Sequence, residues 1–286
     1  MKTEPRPEWL KVRLPRGERY FGLKNLVKQQ KLNTVCEDAR CPNIGECWGA
    51  GTATFMILGD VCTRACKFCA VKTGLPPLYD TDEPRRVAQA IRQLNLRYAV
   101  ITSVDRDDLE DGGALIFAET IRETRAACEG IHIEVLIPDF RGSAKALRVV
   151  VEARPDVLAH NVETVPRLYP VARVGSRYGR SLELLRSSKS LDALMLTKSS
   201  VMLGLGERRD EVLEVLNDLR ECGVDIVTLG QYLQPTRDNL PVDRFYSPDE
   251  FAEFRSYASS LGFRHVESGP LVRSSYHAER QSRIFV

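Results

Sequence analysis

The sequence has 286 residues, 43% of them apolar and 28% charged, which is the profile of a globular protein long enough for a sizeable core. Lysine and arginine number 41 and aspartate and glutamate 39, so the net charge of +2 gives no support to nucleic-acid binding. No apolar run reaches the length of a membrane span, and the start of the chain resembles neither a secretion signal nor a transit peptide. We therefore expect a cytoplasmic protein, although a transit peptide removed beforehand would leave no trace in this sequence.

The first 53 residues show no regular alternation of strand and helix patterns, so we expect an N-terminal extension over residues 1–53. From residue 54 onward, short apolar runs predict six strands, at 54–59, 98–104, 132–138, 157–162, 196–205 and 225–231. Amphipathic segments between them, and a capped segment that opens at Ser247, predict helices. This alternation predicts a parallel α/β sheet over residues 54–266, either an open partial barrel or a doubly wound sheet. Residues 267–286 are expected to form a C-terminal extension.

Polar residues follow the predicted strands, where the active sites of parallel α/β proteins gather. The alternative is that these segments are polar only because they are loops. The residues that stand at these strand ends are Asp60, Asp105, Arg106, Asp107, Asp108, Asp139, Asn161, Glu163 and Gln231.

Eight cysteines in a chain without an export signal argue against a disulfide framework, because reducing compartments keep thiols reduced. Six of them lie between Cys36 and Cys69, which indicates a metal or catalytic role. The other two, Cys128 and Cys222, stand at the ends of helical patterns. We expect both to be ordinary core residues.

Cys62, Cys66 and Cys69 follow the first predicted strand with the spacing C-x3-C-x2-C. A structural zinc site takes four ligands, and here neither a fourth cysteine nor a histidine lies nearby. A four-iron cubane has four corners, so three thiolates leave one iron open to a substrate or cofactor. The sequence therefore favours an iron–sulfur cluster with an open corner over zinc.

This spacing, with the aromatic residue Phe68 before the last cysteine, resembles the signature of the radical S-adenosylmethionine (SAM) superfamily. The resemblance implies a partial (β/α)6 TIM-like barrel, with the N- and C-terminal extensions covering its open end. It also implies that Cys62, Cys66 and Cys69 hold a [4Fe–4S] cluster whose open iron binds the amino and carboxylate groups of SAM. Reductive cleavage of SAM then gives a radical that abstracts hydrogen from an unactivated carbon.

Cys36, Cys41 and Cys47 form a second group, spaced C-x4-C-x5-C. The spacing is too long for a zinc knuckle and favours a loop wrapped around a larger body. We interpret it as the site of a second cluster, again without a fourth cysteine.

The two cysteine groups, together with Arg-Ser-Ser-Tyr at 273–276, resemble the lipoyl synthase family. The similarity runs through ITSVDRDDL, VLIPDFRG, HNVETVPRLY, TLGQYLQP and SGPLVRSSYHA. It implies sulfur insertion at C6 and C8 of an octanoyl chain, the sulfur being drawn from an auxiliary [4Fe–4S] cluster. The implied ligands of that cluster are Cys36, Cys41, Cys47 and Ser275. Ser275 is chosen over Ser274 because the family ligand precedes the tyrosine; without the resemblance, this serine pair would be interpreted as a turn.

SAM also needs polar partners at the strand ends. Asn161 and Glu163 are the first choices, followed by Thr102, Ser103 and Arg173. The alternative for Asn161 is a turn residue at the end of its strand. Arg273 is expected either to support the serine ligand or to be a solvated charge.

The sequence departs from the family pattern at two places that leave the cluster ligands intact. Val174–Gly175–Ser176 stands where the family often has proline-glycine-alanine, and Ser199–Ser200 stands where a glycine is common. Both departures put only the local loop shape and the tuning for substrate in doubt.

The resemblance implies a protein partner, either an octanoylated lipoyl-carrier domain or an H-type protein of glycine cleavage. It also implies an electron donor such as ferredoxin or flavodoxin. Residues 1–28 carry eight lysines and arginines against three acidic residues, and this basic arm is either a docking element for an acidic carrier or a frayed terminus. No nucleic-acid or membrane partner is expected.

Two other functions are weighed against this one. A biotin synthase-like sulfur transferase that acts on a free small molecule is disfavoured by Arg-Ser-Ser-Tyr together with C-x4-C-x5-C. An iron–sulfur electron carrier is disfavoured because ferredoxins fill all four corners with cysteine and are far smaller.

Overall fold

A computed structural model describes residues 6–12, 15, 17–50, 52–276 and 278. Parts of both predicted extensions, including residues 1–5 and 279–286, lie outside this set. The strands in the described part of the chain are β1 (Asn33–Thr34), β2 (Thr54–Ile57), β3 (Val61–Cys62), β4 (Lys72–Thr73), β5 (Tyr98–Ser103), β6 (His132–Leu136), β7 (Val157–Ala159), β8 (Leu196–Leu203), β9 (Ile226–Gln231) and β10 (His265–Gly269).

Helices cover the strands and fill the connections between them. They are α1 (Glu18–Gln29), α2 (Val35–Asp38), α3 (Ile44–Ala50), α4 (Glu83–Gln93), α5 (Ala114–Ala127), α6 (Ala144–Glu152), α7 (Tyr169–Ala172), α8 (Tyr178–Leu191), α9 (Arg209–Glu221) and α10 (Pro248–Ser260), with short 3-10 helices at Glu8–Leu10, Phe140–Gly142 and Pro166–Leu168. The predicted start of α10 is confirmed, because the Ser247 hydroxyl accepts from the Glu250 amide and the Glu250 carboxylate accepts from the Ser247 amide. None of the helices in these ranges is long and apolar enough to cross a membrane.

The main sheet has the order β1-β2-β5-β6-β7-β8-β9-β10. Neighbours from β2 to β10 are all parallel, whereas the short β1 pairs antiparallel with β2, Asn33 opposite Met56. Because the spatial order follows the chain order without a reversal, the sheet has no switch point and is not doubly wound. The partial-barrel prediction is confirmed.

All six predicted strands are present, and the sheet contains one parallel strand that was not predicted. This strand, β10, pairs with β9 from His265 opposite Ile226 to Gly269 opposite Gly230. It crosses residue 266, where the C-terminal extension was expected to begin. The division of the chain after residues 53 and 266 stays a prediction.

The apolar faces of the strands and helices form the core between sheet and helices. Cys222 is buried in this core as predicted, while Cys128 is only partly buried and packs against its edge. Inside the barrel, the buried Lys198 of β8 contacts both carboxylate oxygens of Glu134 on β6, at 2.9 and 3.1 Å. Tyr98 of β5 donates to the same carboxylate at 2.7 Å. This polar network ties three strands together inside the barrel.

We expect Lys198→Ala to lower the stability of the folded chain by about 3–5 kcal/mol, because it leaves the buried Glu134 carboxylate without its cation. Thermal unfolding of the full chain measures the effect. Arg85→Ala, which breaks an exposed pair with Asp82, serves as a control and should change stability by less than about 1 kcal/mol. Equal losses in the two variants would show that the buried pair contributes no more than a surface pair.

Candidate functional site

A cavity opens at the carboxyl ends of the parallel strands. The three cysteines of the C-x3-C-x2-C loop and all five side chains predicted to bind SAM line this one cavity, namely Cys62, Cys66, Cys69, Thr102, Ser103, Asn161, Glu163 and Arg173. The structure therefore brings together residues that are spread over more than a hundred positions of the sequence.

The cysteine loop leaves the barrel directly after β2 and is held by a small two-stranded sheet. Cys62 of β3 pairs with Thr73 of β4 in parallel register. The Cys62 sulfur accepts from the backbone amides of Arg64, at 3.4 Å, and Asp105, at 3.3 Å. Amide donors of this kind stabilise negative charge on a cluster-bound sulfur.

Without a metal, the thiols of this loop stay protonated at neutral pH. Burial raises the pKa of Cys62 to about 11, with the Asp105 carboxyl adding to the effect. Burial likewise raises the pKa of Cys66 to about 12, although the charge of Arg173 opposes it. Cluster loading must therefore release protons from these thiols.

Asn161 and Glu163 stand side by side after β7. The Asn161 amide donates to Glu163 Oε1 at 3.0 Å, and Arg173 Nη1 donates to the Asn161 carbonyl oxygen at 2.7 Å. Glu163 adopts a left-handed backbone conformation with φ of 67°, which is uncommon for a residue with a side chain. Burial raises the pKa of its carboxyl, while the charge of Arg173 opposes this shift.

Two buried polar atoms in this cavity lack a hydrogen-bond partner within the described part of the chain. They are Asn161 Oδ1 and Ser103 Oγ. A buried polar atom without a partner carries a free-energy penalty that a bound ligand can remove. By contrast, the Thr102 hydroxyl already donates to the Leu136 carbonyl oxygen at 2.9 Å, so only its lone pairs remain for a ligand.

The second cysteine group lies beside the start of β2, with Cys36 on α2, Cys41 in the connection between the helices and Cys47 on α3. Cys36 is buried on α2 and forms a hydrogen bond with Thr54. Thr54 Oγ1 in turn donates to Ser275 Oγ at 2.9 Å. Thr54 thus links the predicted serine to the cysteine group, although 221 residues separate Thr54 from Ser275.

The C-terminal segment approaches Cys41 of this group as well. Burial raises the pKa of Cys41, and the charge of Arg273 opposes the shift, which places Arg273 near that thiol. Asn43, two residues after Cys41, donates from its side chain to the Leu271 carbonyl oxygen at 2.6 Å. Arg273 is only partly exposed, so the prediction that it is a freely solvated charge is disfavoured.

A residue next to the second cysteine group reaches the cavity that the first group lines. Val35, the neighbour of Cys36, lines it together with Met56 and the cysteines of the other loop. Within the described ranges, no three histidine, cysteine, aspartate or glutamate side chains are arranged to hold a single metal ion.

Comparison with known proteins identifies the family. The model of the radical SAM superfamily matches residues 56–235, and that of the N-terminal domain of lipoyl synthase of the radical SAM family matches residues 2–41. A lipoyl synthase from Rubrobacter xylanophilus is 57% identical over 97% of this chain and 86% of its own length. The chain belongs to the lipoyl synthase family. A mitochondrial lipoyl synthase from Nematostella vectensis is 53% identical over 97% of the chain and 95% of its own length.

Solved structures of lower similarity support the fold. Methylornithine synthase matches 88% of this chain and 78% of its own length with a TM-score of 0.56 and 14% identity. The FeFe-hydrogenase maturase HydG from Carboxydothermus hydrogenoformans matches 80% of the chain and 64% of its own length, also with a TM-score of 0.56. At such identities the similarity shows the fold alone.

As a member of the lipoyl synthase family, the chain is a radical SAM sulfurtransferase that uses a [4Fe–4S] cluster and SAM. The cavity fits both groups. It presents three thiols for a cluster, and it presents the partnerless Asn161 Oδ1 and Ser103 Oγ to a polar cofactor.

Two side chains that hold the cysteine loop of this lipoyl synthase family member were not predicted from the sequence. Arg64 lies between Cys62 and Cys66, and nothing in the sequence pattern singles it out. Asn239 lies in the connection after β9, and its amide donates to the carbonyl oxygens of Cys69, at 2.8 Å, and Lys67, at 3.2 Å. No sequence pattern marks a contact across 170 residues.

We expect Asn239→Ala to weaken SAM binding by about 10–100-fold, because it removes the hydrogen bonds that orient the backbone beside Cys69. Equilibrium binding of SAM to the cluster-loaded protein measures the effect. Asn217→Ala is the matched control, since the Asn217 amide donates to Leu213 and Tyr257 far from the cavity. Equal affinities in all three proteins would refute a role for Asn239 in shaping the loop.

Proposed function

We propose that this lipoyl synthase family member inserts sulfur at C6 and C8 of an octanoyl chain attached to a protein. The sulfur comes from an auxiliary [4Fe–4S] cluster. The observation that carries the proposal is the cavity lined by Cys62, Cys66 and Cys69 and also by Val35, the neighbour of Cys36. A substrate in this cavity would lie between the site of radical generation and the source of sulfur.

In this proposal, Cys62, Cys66 and Cys69 hold the radical-generating cluster, and Asn161, Glu163, Thr102, Ser103 and Arg173 bind SAM. The bound cluster and SAM supply the radical that removes hydrogen from a carbon with no acidic proton. The chain supplies position and charge. Asn161 Oδ1 accepts a hydrogen bond from the cofactor, and the Glu163 carboxylate, held by Asn161 and near Arg173, faces its positive groups.

Cys36, Cys41, Cys47 and Ser275 are proposed to hold the auxiliary cluster, which acts as the sulfur-donating substrate. A serine oxygen is a harder ligand than a thiolate and binds iron less durably in a sulfur-rich site. The Thr54 hydroxyl donates to the Ser275 oxygen, and such a bond stabilises negative charge on it. The corner at Ser275 is therefore the one expected to open as sulfur is withdrawn.

Apolar side chains form a large part of the cavity wall. They include Val35, Met56, Leu136 and Ile137. Each buried methylene of an alkyl chain contributes about 0.8 kcal/mol, so these side chains suit an eight-carbon acyl group. They also exclude water from the carbon that reacts.

The proposed partner is an octanoylated lipoyl-carrier domain or an H-type protein, with a ferredoxin or flavodoxin as electron donor. Four exposed cations, none of them ion-paired in the described ranges, surround the cysteine loops: Arg40, Lys67, Arg177 and Arg237. Arg40 donates to the Pro235 carbonyl oxygen at 3.3 Å, and the Leu240 amide donates to the Lys67 carbonyl oxygen. Arg237 lies in the short segment between Pro235 and Leu240. These charges suit an acidic partner surface. Residues 1–5, 13, 14 and 16 of the basic arm lie outside the described residues.

The test is a single incubation of the cluster-loaded chain with SAM, a low-potential reductant and an octanoylated carrier domain. The auxiliary cluster is loaded with isotopically heavy sulfide beforehand. Mass spectrometry should show two heavy sulfur atoms on the acyl group. Formation of 5′-deoxyadenosine without sulfur on the carrier, or with light sulfur only, would contradict the proposal.

A further inference from the structure

The side chain of Arg64 is buried, although it belongs to a loop on the open face of the barrel. Only 3% of this side chain is exposed. Its guanidinium forms a two-bond contact with Asp107, at 2.8 Å on each side, and a third contact with Asp139 Oδ1 at 2.6 Å. It also lies 3.3 Å from Asp105 Oδ1. A single arginine thus meets three carboxylates.

These partners come from three separate parts of the fold. Asp105 and Asp107 follow β5, Asp139 follows β6, and Ser176 in the connection after α7 accepts from Arg64 Nη1 at 3.1 Å. Ser176 stands where alanine is common in the family, and alanine could not accept this bond. Arg64 therefore fastens the segment between two cysteines to the ends of two strands and to a third loop.

The backbone around Arg64 reinforces the same attachment. The Thr63 amide and hydroxyl both donate to the Asp105 carbonyl oxygen, and the Thr63 hydroxyl accepts from the Asp107 amide at 3.0 Å. On the other side, the Thr73 hydroxyl donates to the Arg64 carbonyl oxygen at 3.1 Å. The loop is thus fixed from both faces, with the guanidinium at the centre of its contacts.

The charges beside the cysteines do not balance without Arg64. Asp105 Oδ2 lies 3.9 Å from the Cys62 sulfur. Burial alone would raise the pKa of Asp139, but the hydrogen bond and charge of Arg64, together with the hydrogen bond from the Arg141 amide, outweigh burial and lower that pKa to about 2. Arg180 is the other cation on Asp139, at 3.1 Å. Arg173 also acts on Asp105, so removal of Arg64 leaves three carboxylates against two arginines, Arg173 and Arg180, beside the cysteine loop.

We propose that Arg64 is a positioning residue that fixes the C-x3-C-x2-C loop and offsets the carboxylate charge beside it, so that the reduction potential of the cluster depends on Arg64. This inference rests on the proposed function, in which Cys62, Cys66 and Cys69 hold the radical-generating cluster. Negative charge near a cluster disfavours an added electron, and a nearby cation favours it. The arginine thereby keeps the cluster reducible in a site rich in aspartate.

The experiment is a potentiometric titration of the cluster-loaded full-length protein, followed by electron paramagnetic resonance. The reduced signal that changes on addition of SAM identifies the cluster at issue. Arg64→Gln should shift the reduction potential of this cluster to a more negative value. Arg64→Lys keeps the positive charge, so its potential should stay close to that of the wild type. Asp107→Asn, which removes a carboxylate from a partly exposed position, should move the potential in the opposite direction.

Arg106→Gln is the matched control. Arg106 is equally buried and pairs with Asp108 at 2.8 Å on the same strand-end loop, but it does not line the cavity. Its loss should leave the potential unchanged. Equal shifts in Arg64→Gln and Arg106→Gln, or no shift in Arg64→Gln, would overturn the inference while leaving the proposed function in place.

The remaining outcomes also decide the matter. If Arg64→Gln loses its cluster, Asp107→Asn carries the test alone, and an unchanged or more negative potential in Asp107→Asn overturns the inference. A wild-type protein with no SAM-responsive signal would instead overturn the assignment of the cluster, and the inference about Arg64 with it.

Discussion

Cys36→Ala is expected to abolish the lipoyl product while SAM cleavage continues. Two [4Fe–4S] clusters correspond to about eight irons per chain, and the variant should retain about four. The physical reason is that the two cysteine groups are proposed to have separate roles. Cys36 is buried beside Thr54, which binds Ser275. Cys62, Cys66 and Cys69 instead line the cavity together with the residues proposed to bind SAM. Iron and sulfide analysis, 5′-deoxyadenosine release and carrier mass measure the three consequences.

Two further variants complete this experiment. Cys66→Ala should also retain about four irons but should lose SAM cleavage entirely, because one of three thiolates of the open cluster is gone. Cys222→Ala, which alters a buried cysteine at the end of α9 away from both groups, should keep the full iron content. If Cys36→Ala lost SAM cleavage although the cluster at Cys62, Cys66 and Cys69 was still fully loaded, the two cysteine groups would not have the separate roles proposed for them.

Ser275→Cys is expected to keep about eight irons and yet to slow sulfur transfer by about 10–100-fold. A thiolate is a softer ligand than the serine oxygen and holds iron more firmly. The corner that should open to release sulfur would then stay closed. Single-turnover formation of the first carbon–sulfur bond, followed by mass spectrometry, measures this effect, while SAM cleavage in the absence of carrier should not change.

The neighbouring serine supplies the control for that prediction. Ser274→Cys introduces the same thiol one residue away, whereas it is Ser275 that accepts the hydrogen bond from Thr54. Turnover of Ser274→Cys should therefore match that of the wild type. If Ser274→Cys slows sulfur transfer and Ser275→Cys does not, the ligand has been assigned to the wrong serine.

The strands were predictable wherever apolar side chains repeat, and the one that was missed shows the limit of that signal. β10 contains His265, Glu267, Ser268 and Gly269 around a single valine, and it lies at the edge of the sheet. Its position is fixed by backbone hydrogen bonds to β9 rather than by burial of an apolar face. An edge strand of this composition has no hydrophobic period from which it could be predicted.

The candidate site divides in the same way. The cysteines stand in fixed short spacings, and the strand-end residues Asn161 and Glu163 follow from the topology, so both were predictable. Thr54 and Asn239 were not, because they contribute through hydrogen bonds to residues far away in the sequence, Ser275 and Cys69. The role of Arg64 follows only from the three carboxylates that the fold brings to it.

The contacts between Thr54 and Ser275 and between Asn43 and Leu271 join the two ends of the polypeptide, 221 and 228 residues apart. During synthesis, the ribosome releases the cysteines of the N-terminal segment long before the serine emerges. A nascent or truncated polypeptide that stops before Ser275 therefore has the three cysteines of the proposed ligand set but lacks the serine. Only a chain synthesised past Ser275 can complete the proposed ligand set, so loading of the proposed auxiliary cluster is expected to follow synthesis of the C-terminal segment.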